Sequence, residues 1–236
     1  MAPDRALSVI IPAYCEAGNI LQTLDHVTTA LASQSVPHEV LVIDDGSTDG
    51  TGDLVRANLP RYPNTRLLVN DRNRGFGWTY RRGVGEASLT HSVMVHGDNA
   101  WGAATLGSLF SHVGEADIII GYTRDMWRSR TFSRTVASKA FTFLVNTITR
   151  RHLKYYNGLQ IHQTGVLKDL RIQSTGYGFQ AEVLVKALRL ASTWLEVPMD
   201  LQEREQGTSK AFRLANVVDV LRTLRLLCAL EWSPRK

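Results

Sequence analysis

Short runs of apolar residues alternate with longer segments of helical spacing through the first half of the chain. Five runs have the length and composition of buried strands: residues 7–12, 39–43, 66–69, 93–96 and 117–120. Four segments between them carry apolar residues at helical spacing: 19–32, 49–59, 77–87 and 104–113. The runs are continuously apolar, which is typical of parallel strands covered on both sides. The pattern therefore predicts an α/β fold, with a mostly parallel sheet and helices on both faces.

The second half of the chain is less regular but shows no break between domains. We expect a basic helix over 129–151, a turn at 156–158, a helix over 179–190, a short strand over 194–198 and a C-terminal helix. No stretch rich in Pro, Gly or Ser divides the halves, and no internal repeat is present. We therefore expect one domain over 1–236, made of parts 1–121 and 122–210 and an amphipathic helix within 211–236.

The charge balance favours an anionic partner. Lys and Arg number 27 against 22 Asp and Glu, which gives a formal net charge of +5. This excess suits a phosphate compound, a nucleic acid or an acidic membrane face, and does not choose among them. The two cysteines, Cys15 and Cys228, lie at opposite ends of the sequence and form no disulfide framework or zinc motif, which favours a reducing compartment.

The apolar segments are too short for a membrane span. None approaches the roughly 18 residues that such a helix requires, and the first residues lack the features of a signal peptide. We expect a cytoplasmic protein, either soluble or peripheral on the cytoplasmic membrane face. A C-terminal stripe of helical spacing comprises Leu214, Val217, Val218, Leu221, Leu224 and Leu227, with Arg213, Arg222 and Arg225 among them. Such stripes mostly pack on their own domain; the alternative is docking on an anionic membrane or a partner subunit.

Two adjacent carboxylates, Asp44 and Asp45, follow the second predicted strand. Ligands bind beyond the carboxyl ends of parallel strands, so this position is a candidate site. Helix capping explains Ser47 or Asp49 but not the paired aspartates, because neighbouring carboxylates repel unless a cation or a hydroxyl-rich ligand engages them. A ribose, with two vicinal hydroxyls, fits such a group.

Three further segments carry candidate chemistry. After the first strand, Tyr14 can cover a nucleobase and Glu16 can accept hydrogen bonds from a base or a ribose, although a chance loop explains them equally well. The glycine-rich turn at 73–78 opens a helix and is a weak phosphate signal. After the fourth strand, Asp98 with His96 suits a divalent cation on a diphosphate; the alternative is a strand-end histidine beside a turn. Zinc is disfavoured because no further His or Cys lies nearby in sequence.

These motifs together resemble the family 2 glycosyltransferases of GT-A (Rossmann-like) fold, and most closely their dolichyl-phosphate mannose synthase-like branch. The resemblance covers about residues 7–225. It rests on six segments in family order: Pro12-Ala13-Tyr14-Cys15-Glu16, Asp44 to Asp49, His96-Gly97-Asp98, Phe179-Gln180-Ala181-Glu182, Glu196-Val197-Pro198 and Arg204 to Lys210. Cys15 and His96 depart from the family's usual Asn and Asp. The second departure leaves one carboxylate, Asp98, in the metal motif.

The resemblance implies a role for each site residue. Nucleotide binding falls to Pro12, Tyr14, Glu16 and Asp44 or Asp45, while Asp98 ligates Mg²⁺ or Mn²⁺. Catalytic roles fall to Asp98, to Arg124 facing the sugar diphosphate, to Glu182 near the transferred sugar, and to Arg204 and Lys210 gripping the acceptor or leaving phosphate. Residues 1–121 then form the half that binds the nucleotide sugar, and 122–210 the acceptor half.

The implied reaction is an inverting transfer of a hexose from a nucleoside diphosphate sugar, GDP-mannose or a UDP-sugar, to a polyprenyl or dolichyl phosphate. Such a lipid requires peripheral attachment or a membrane-anchored partner. The alternative acceptor is a hydroxyl on a glycan or small molecule, with Glu182 or Asp98 as base. A nucleic-acid-binding module is the alternative from another class, based on the arginines of 124–134, but strand-end carboxylates would repel a phosphate backbone. A NAD-dependent dehydrogenase is disfavoured because no G-x-G-x-x-G follows the first strand.

Overall fold

A computed structural model describes residues 5–124, 132–174, 176, 178–200 and 214–231. Its strands are β1 (Leu7–Ala13), β2 (His38–Asp44), β3 (Thr65–Val69), β4 (His91–Met94), β5 (Ile118–Thr123), β6 (Gln160–Gln163) and β7 (Trp194–Met199). Its α-helices are α1 (Ile20–Ala32), α2 (Thr51–Asn58), α3 (Phe76–Glu86), α4 (Ala103–Phe110), α5 (Phe132–Thr149), α6 (Thr164–Asp169), α7 (Phe179–Leu188) and α8 (Leu214–Glu231). The strands form one sheet in the order β3-β2-β1-β4-β6-β5-β7.

The direction of the strands determines where the candidate residues meet. β1 pairs in parallel with both β2 and β4. β6 is antiparallel to β4 on one side and to β5 on the other, so β4 and β5 run in the same direction. The carboxyl ends of β1, β2, β4 and β5 therefore lie at one edge of the sheet. Between β1 and β4 the strand order reverses, which is where doubly wound sheets form a ligand crevice.

The central strand β1 is buried on both faces. Leu7, Val9 and Ile11 pack in a cluster with residues of α1 and α4. Ile10 points the other way and packs with Tyr80 of α3. This alternation buries both sides of the strand, which explains its unbroken apolar sequence and confirms the predicted α/β fold with helices on both faces.

The five strands predicted in the first half are present, with ends shifted by at most three residues. The sequence analysis missed two elements. Strand β6 has the sequence QIHQ, in which only one of four residues is apolar, and α6 follows it directly. Two polar side chains of β6, Gln160 and His162, are buried because they bond locally. The Gln160 amide donates to the Tyr156 carbonyl at 2.6 Å, and its oxygen lies 3.1 Å from His162 Nε2. No period-2 or apolar signal marks such a strand.

The packing face of α8 differs from the predicted stripe. Leu227 is fully buried and Thr223 nearly so, whereas Leu221 and Val218 of the stripe are exposed. The side chains of Leu214 and Val217 lie outside the described residues. Helix α8 packs against α5 and α7, with Leu224 and Leu227 in the cluster between them. Across the described ranges, no helix combines the length and hydropathy of a membrane span.

Candidate active site

Most of the predicted site residues lie at the carboxyl edge of the sheet. Asp44 ends β2, beside Ala13 at the end of β1, and Tyr14 and Glu16 follow at once. Pro12 is buried within β1, paired with Ile43. Asp98 comes after β4, the neighbour of β1 on its other side. The structure therefore brings together the ends of three adjacent strands, as the sequence analysis predicted.

Asp45 is a buried carboxylate that holds the loop leading into α3. Its Oδ1 accepts hydrogen bonds from the Asn70 amide at 2.6 Å and from the Arg74 backbone N–H at 2.8 Å. Its Oδ2 accepts the Gly75 N–H at 2.9 Å. Gly75 has a φ of +88°, in the left-handed region that favours glycine. Asp45 therefore determines the conformation of the glycine-rich turn.

Asp44 is equally buried and holds the next turn of its own loop. Its Oδ1 accepts the Ser47 N–H at 3.0 Å. Its Oδ2 lies against Gly52, where an added Cβ would come within 2.4 Å of that oxygen. A side chain at position 52 would therefore displace the carboxylate, which favours glycine as the second residue of α2.

Three backbone N–H groups bind the loop after β1 to the segment after β2. They donate to side chains of that segment: Cys15 to Ser47 Oγ at 2.9 Å, Glu16 to Thr51 Oγ1 at 2.9 Å, and Ala17 to Asp49 Oδ2 at 3.0 Å. Burial tends to raise the pKa of Asp49, but the hydrogen bonds from Thr51 and Ala17 outweigh it and lower that pKa. The loop is thus held in place, while the Tyr14 side chain stays 47% exposed and accessible for stacking.

The turn that carries Asp98 is anchored from two sides. The Thr23 hydroxyl of α1 donates to the Gly97 carbonyl and accepts the Asn99 N–H, both at 3.1 Å. The His96 ring stacks on Phe76 of α3, with centroids 5.1 Å apart and planes inclined by 6°. Since Phe76 follows Gly75, the loop held by Asp45 also supports the histidine beside Asp98.

The donor set at this turn fits a cation shared with a substrate. In the part of the chain that the structure describes, no group of three or more His, Cys, Asp or Glu side chains is arranged to hold a metal. Mg²⁺ is commonly held by one or two carboxylates together with substrate phosphates. The single carboxylate of Asp98 fits such a cation, and a zinc site closed by protein ligands has no donor set here.

Arg124 follows β5 at the same edge of the sheet. Its backbone N–H donates to the Met199 carbonyl at 3.1 Å, and its side chain is exposed. Because β6 lies between β4 and β5, one strand separates Arg124 from the strand end that carries the Asp98 turn. Arg204 and Lys210 lie outside the described residues.

Glu182 of α7 is fully buried and its oxygens are engaged. They accept the Gln173 and Ser174 backbone N–H groups at 2.9 and 2.6 Å, and the Lys186 ammonium pairs with the same carboxylate. Burial acts to raise the pKa of Glu182, but Lys186 and the two N–H donors outweigh it and lower that pKa. In this structure Glu182 positions the loop before α7.

Sequence reasoning missed several residues that build the site: Thr23, Asn70, Thr51 and Phe76. Thr23 had a usable signal, since it is a hydroxyl on the otherwise apolar face formed by Ile20, Leu24 and Val27 of α1. Phe76 had none, because an aromatic residue at the start of a helix most often only packs in the core.

A cleft of about 620 Å³ lies at the opposite edge of the sheet, lined among others by His91, Glu115 and Asp117. Asp117 is committed to the fold there. The Thr193 and Ser192 backbone N–H groups donate to it at 2.9 and 2.8 Å and lower its pKa against the effect of burial. The cleft is thus separated from the strand-end carboxylates by the length of the sheet.

Comparison with known proteins places this architecture in a family. The model of the family described as "Glycosyl transferase family 2" matches residues 8–169. The undecaprenyl-phosphate mannosyltransferase of Micrococcus luteus is 29% identical over 85% of both chains. The dolichol-phosphate mannosyltransferase of Mycosarcoma maydis is 26% identical over 86% of this chain and 72% of its own.

Solved structures show the same fold at lower identity. Glucosyl-3-phosphoglycerate synthase of Mycobacterium tuberculosis, in complex with Mn²⁺, UDP-glucose and phosphoglyceric acid, has a TM-score of 0.72 and 20% identity, over 95% of this chain and 80% of that chain. This likeness confirms the predicted GT-A fold. The family match covers the strand-end residues from Pro12 to Arg124, so the chain belongs to glycosyl transferase family 2 and is a glycosyltransferase.

Proposed function

We propose that this chain transfers a hexosyl group from a nucleoside diphosphate sugar, GDP-mannose or a UDP-sugar, to a polyprenyl phosphate, with inversion at the anomeric carbon. The observation that carries the proposal is the meeting of Tyr14, Asp44, Asp45 and Asp98 at one sheet edge, with Arg124 across from them. The choice of acceptor is supported by relatives whose names specify undecaprenyl or dolichol phosphate and whose alignments span both halves of this chain.

The donor fits the crevice through its base and its diphosphate. Tyr14 is exposed on a loop fixed by Ser47 and Thr51, so its ring can cover a base with little loss of entropy. Glu16, half-buried beside it, is an acceptor for ribose or base donors. Asp44 and Asp45 act on the nucleotide mainly by shaping the loops around it, since their oxygens accept loop N–H groups.

Asp98 and the diphosphate oxygens of the donor would hold Mg²⁺ or Mn²⁺, which supplies charge neutralisation for the departing diphosphate when bound. His96 and Thr23 fix the turn on which Asp98 lies. Arg124 adds a positive charge on the other side of the crevice. Arg204 and Lys210 extend this positive charge in the proposal, on the basis of sequence alone.

The reaction is a single displacement. An oxygen of the acceptor phosphate forms a bond to the anomeric carbon as the bond from that carbon to the donor diphosphate breaks, and the nucleoside diphosphate leaves with the electron pair. The acceptor oxygen is already ionised at neutral pH, so no base is needed to remove a proton. The engagement of both Glu182 oxygens agrees with a mechanism that does not use this carboxylate as a base.

A polyprenyl phosphate lies in a membrane, so the proposal also requires the chain to work at a membrane surface. We place it on the cytoplasmic face, either attached peripherally or through a membrane-anchored partner. The net positive charge favours an anionic leaflet.

Transfer of labelled sugar tests the function directly. The purified chain receives labelled GDP-mannose or UDP-sugars, undecaprenyl phosphate in detergent, and Mn²⁺, Mg²⁺ or EDTA. We expect label in the lipid product with one donor, loss of transfer in EDTA, and a fall of about 1000-fold in Asp98→Asn, because a bound cation stabilises the leaving group by several kcal/mol.

Asp53→Asn, which changes an exposed carboxylate on α2, is the matched control and should keep full activity. Transfer to a glycan or small-molecule hydroxyl, with none to the lipid phosphate, would overturn the acceptor assignment. Full activity of Asp98→Asn would overturn the assignment of the cation site.

A further inference from the structure

Helix α5 exposes an apolar face. Phe132 and Phe143 are 75% and 70% exposed, and Val136 and Leu144 are each 45% exposed. With the exposed Ala140 they follow the spacing i, i+4, i+8, i+11 and i+12, which places them on one side of the helix. We call these five residues the α5 face.

The α5 face is not needed to hold the helix in the fold. On the opposite side of α5, Val145 is fully buried, and Phe141 and Ile148 pack in the cluster shared with α7 and α8. Large apolar side chains grouped on a surface indicate an interaction site rather than a fold requirement.

The charges around the α5 face are positive. Helix α5 contains no Asp or Glu among its 18 residues. Lys139 is exposed and lies on the same side of the helix as Phe132 and Phe143, by the helical repeat. Arg150, directly after the end of the helix, is exposed as well. Helix α8, which contacts α5, also exposes Leu221 together with Arg222 and Arg225. Apolar side chains flanked by cations suit the headgroup region of an anionic bilayer, since long basic side chains reach lipid phosphates while rings enter the acyl boundary.

We propose that the α5 face docks this chain on an anionic phospholipid bilayer, with Phe132 and Phe143 inserted at the interface and Lys139 on lipid phosphates. This inference rests on the proposed function in one respect only: it identifies the part of the chain that makes the membrane contact which that function requires. The sequence analysis offered the C-terminal helix for this role, but α8 uses much of its surface to pack on α5 and α7.

The position of α5 connects the bilayer to the chemistry. Arg124 lies at the carboxyl edge of the sheet, and helix α5 begins eight residues after it in the sequence. The 18 residues of α5 span about 27 Å. Its far end is tied to the other edge by Arg151, which donates to the Leu188 carbonyl at 2.8 Å and lies over Trp194. A helix lying in the interface plane along this path keeps the crevice next to the headgroups, where a polyprenyl phosphate presents its phosphate.

Vesicle co-sedimentation tests the α5 face without any acceptor lipid. We expect the full chain to bind phosphatidylglycerol vesicles more tightly than phosphatidylcholine vesicles, and less tightly as salt is raised. The double variant Phe132→Ser/Phe143→Ser should bind phosphatidylglycerol about tenfold or more weakly, since two apolar side chains no longer enter the interface. Lys139→Gln should weaken binding about fivefold.

Two matched controls change similar residues elsewhere. Val69→Ser removes an exposed valine on β3, at the other end of the sheet, and Arg56→Gln removes an exposed cation on α2; both should bind as the unaltered chain does. Circular dichroism checks that all variants are folded. Equal binding by the double variant and the controls would overturn the proposal.

The alternative is that the α5 face binds a second copy of this chain. Sedimentation velocity distinguishes the two: a dimer that Phe143→Ser converts to a monomer, with vesicle binding unchanged, would overturn bilayer docking. Failure of the proposed function is separate, because it appears as absent transfer to a short-chain, water-soluble polyprenyl phosphate while vesicle binding persists. If both proposals hold, the double variant keeps its rate on the short acceptor and loses rate only on the acceptor in vesicles.

Discussion

Asp45 in the donor half and Glu182 in the acceptor half are both buried carboxylates that hold a loop in front of a helix. Asp45 accepts the Arg74 and Gly75 N–H groups before α3, and Glu182 accepts those of Gln173 and Ser174 before α7. They differ in counter-charge: Glu182 pairs with the Lys186 ammonium, whereas the bonds to Asp45 come from an amide and two backbone N–H groups.

We expect this difference to separate a carboxylate that acts only in the fold from one that also contributes to nucleotide binding. A neutralised pair such as Glu182–Lys186 contributes little field beyond its own loop. At Asp45 the negative charge stays close to the strand end, beside the crevice where ribose hydroxyls and a cation would bind. Three experiments test this difference between the donor half and the acceptor half.

Glu182→Gln should have the largest effect on stability and little on chemistry. Removing one partner of a buried ion pair leaves the other charge uncompensated, so we expect the free energy of unfolding to fall by about 3 kcal/mol, measured by urea denaturation. The folded fraction should keep its turnover number and pH profile.

The double variant Glu182→Gln/Lys186→Met is the control for Glu182→Gln, because it removes both charges and should recover much of the lost stability. Loss of turnover with unchanged stability would instead make Glu182 a catalytic residue, as the family resemblance implied.

Asp45→Asn should act mainly on donor binding. The amide keeps the shape of the carboxylate but loses its charge and turns an N–H₂ group toward one of the N–H donors. Hydrogen bonds to a charged acceptor contribute about 1.5–3 kcal/mol, so we expect a donor KM about 30-fold higher, with turnover changed much less. Steady-state kinetics with varied nucleotide sugar measure it.

The exposed carboxylate Asp53 on α2 again supplies the matched control, Asp53→Asn. An unaltered donor KM in Asp45→Asn, together with a fall in the free energy of unfolding, would show that Asp45, like Glu182, acts only in the fold.

Lowering the pH should destabilise the fold through His162 of β6, the strand that lies between β4 and β5. Burial lowers the pKa of His162 to about 3, from an ordinary value of 6.5. Between these values the unfolded chain binds one more proton than the folded chain, so stability falls as pH is lowered through that window. The loss approaches about 1.4 kcal/mol per pH unit and amounts to about 1.6 kcal/mol from pH 6.5 to 5.

Urea denaturation at both pH values measures this effect, and His162→Gln should remove His162's share of it. His152→Gln, at an exposed histidine after α5, should leave the slope as it is. An unchanged slope in His162→Gln would show that another group controls the acid response.

The contrast between the halves also explains what the sequence could predict. The strands of the first half could be identified because both of their faces are buried and each ends in a polar motif, as β2 does at Asp44 and Asp45. The carboxylates there directly follow, in sequence, the strand that positions them, so the sequence pattern also indicates where they lie in the fold. The α/β fold and the family were correctly predicted on this basis.

The second half could not be predicted to the same depth because the residues that build it carry no apolar period. Strand β6 is buried but polar, since Gln160 and His162 bond to each other and to the chain nearby. The partners of Glu182 lie eight and nine residues before it, in a loop without a pattern. The roles of Arg204 and Lys210 remain predictions.

The reversed strand β6 sets a dimension of the crevice. It separates the ends of β4 and β5 by two interstrand spacings, about 9.5 Å, and backbone hydrogen bonds maintain that interval. Substituting side chains at the ends of β4 and β5 can alter which ligand groups bind between these strands, but it cannot increase the distance between the strands. Engineering this chain to accept bulkier sugars would therefore require longer loops after β4 or β5, because the hydrogen-bonded sheet fixes the distance between these strands.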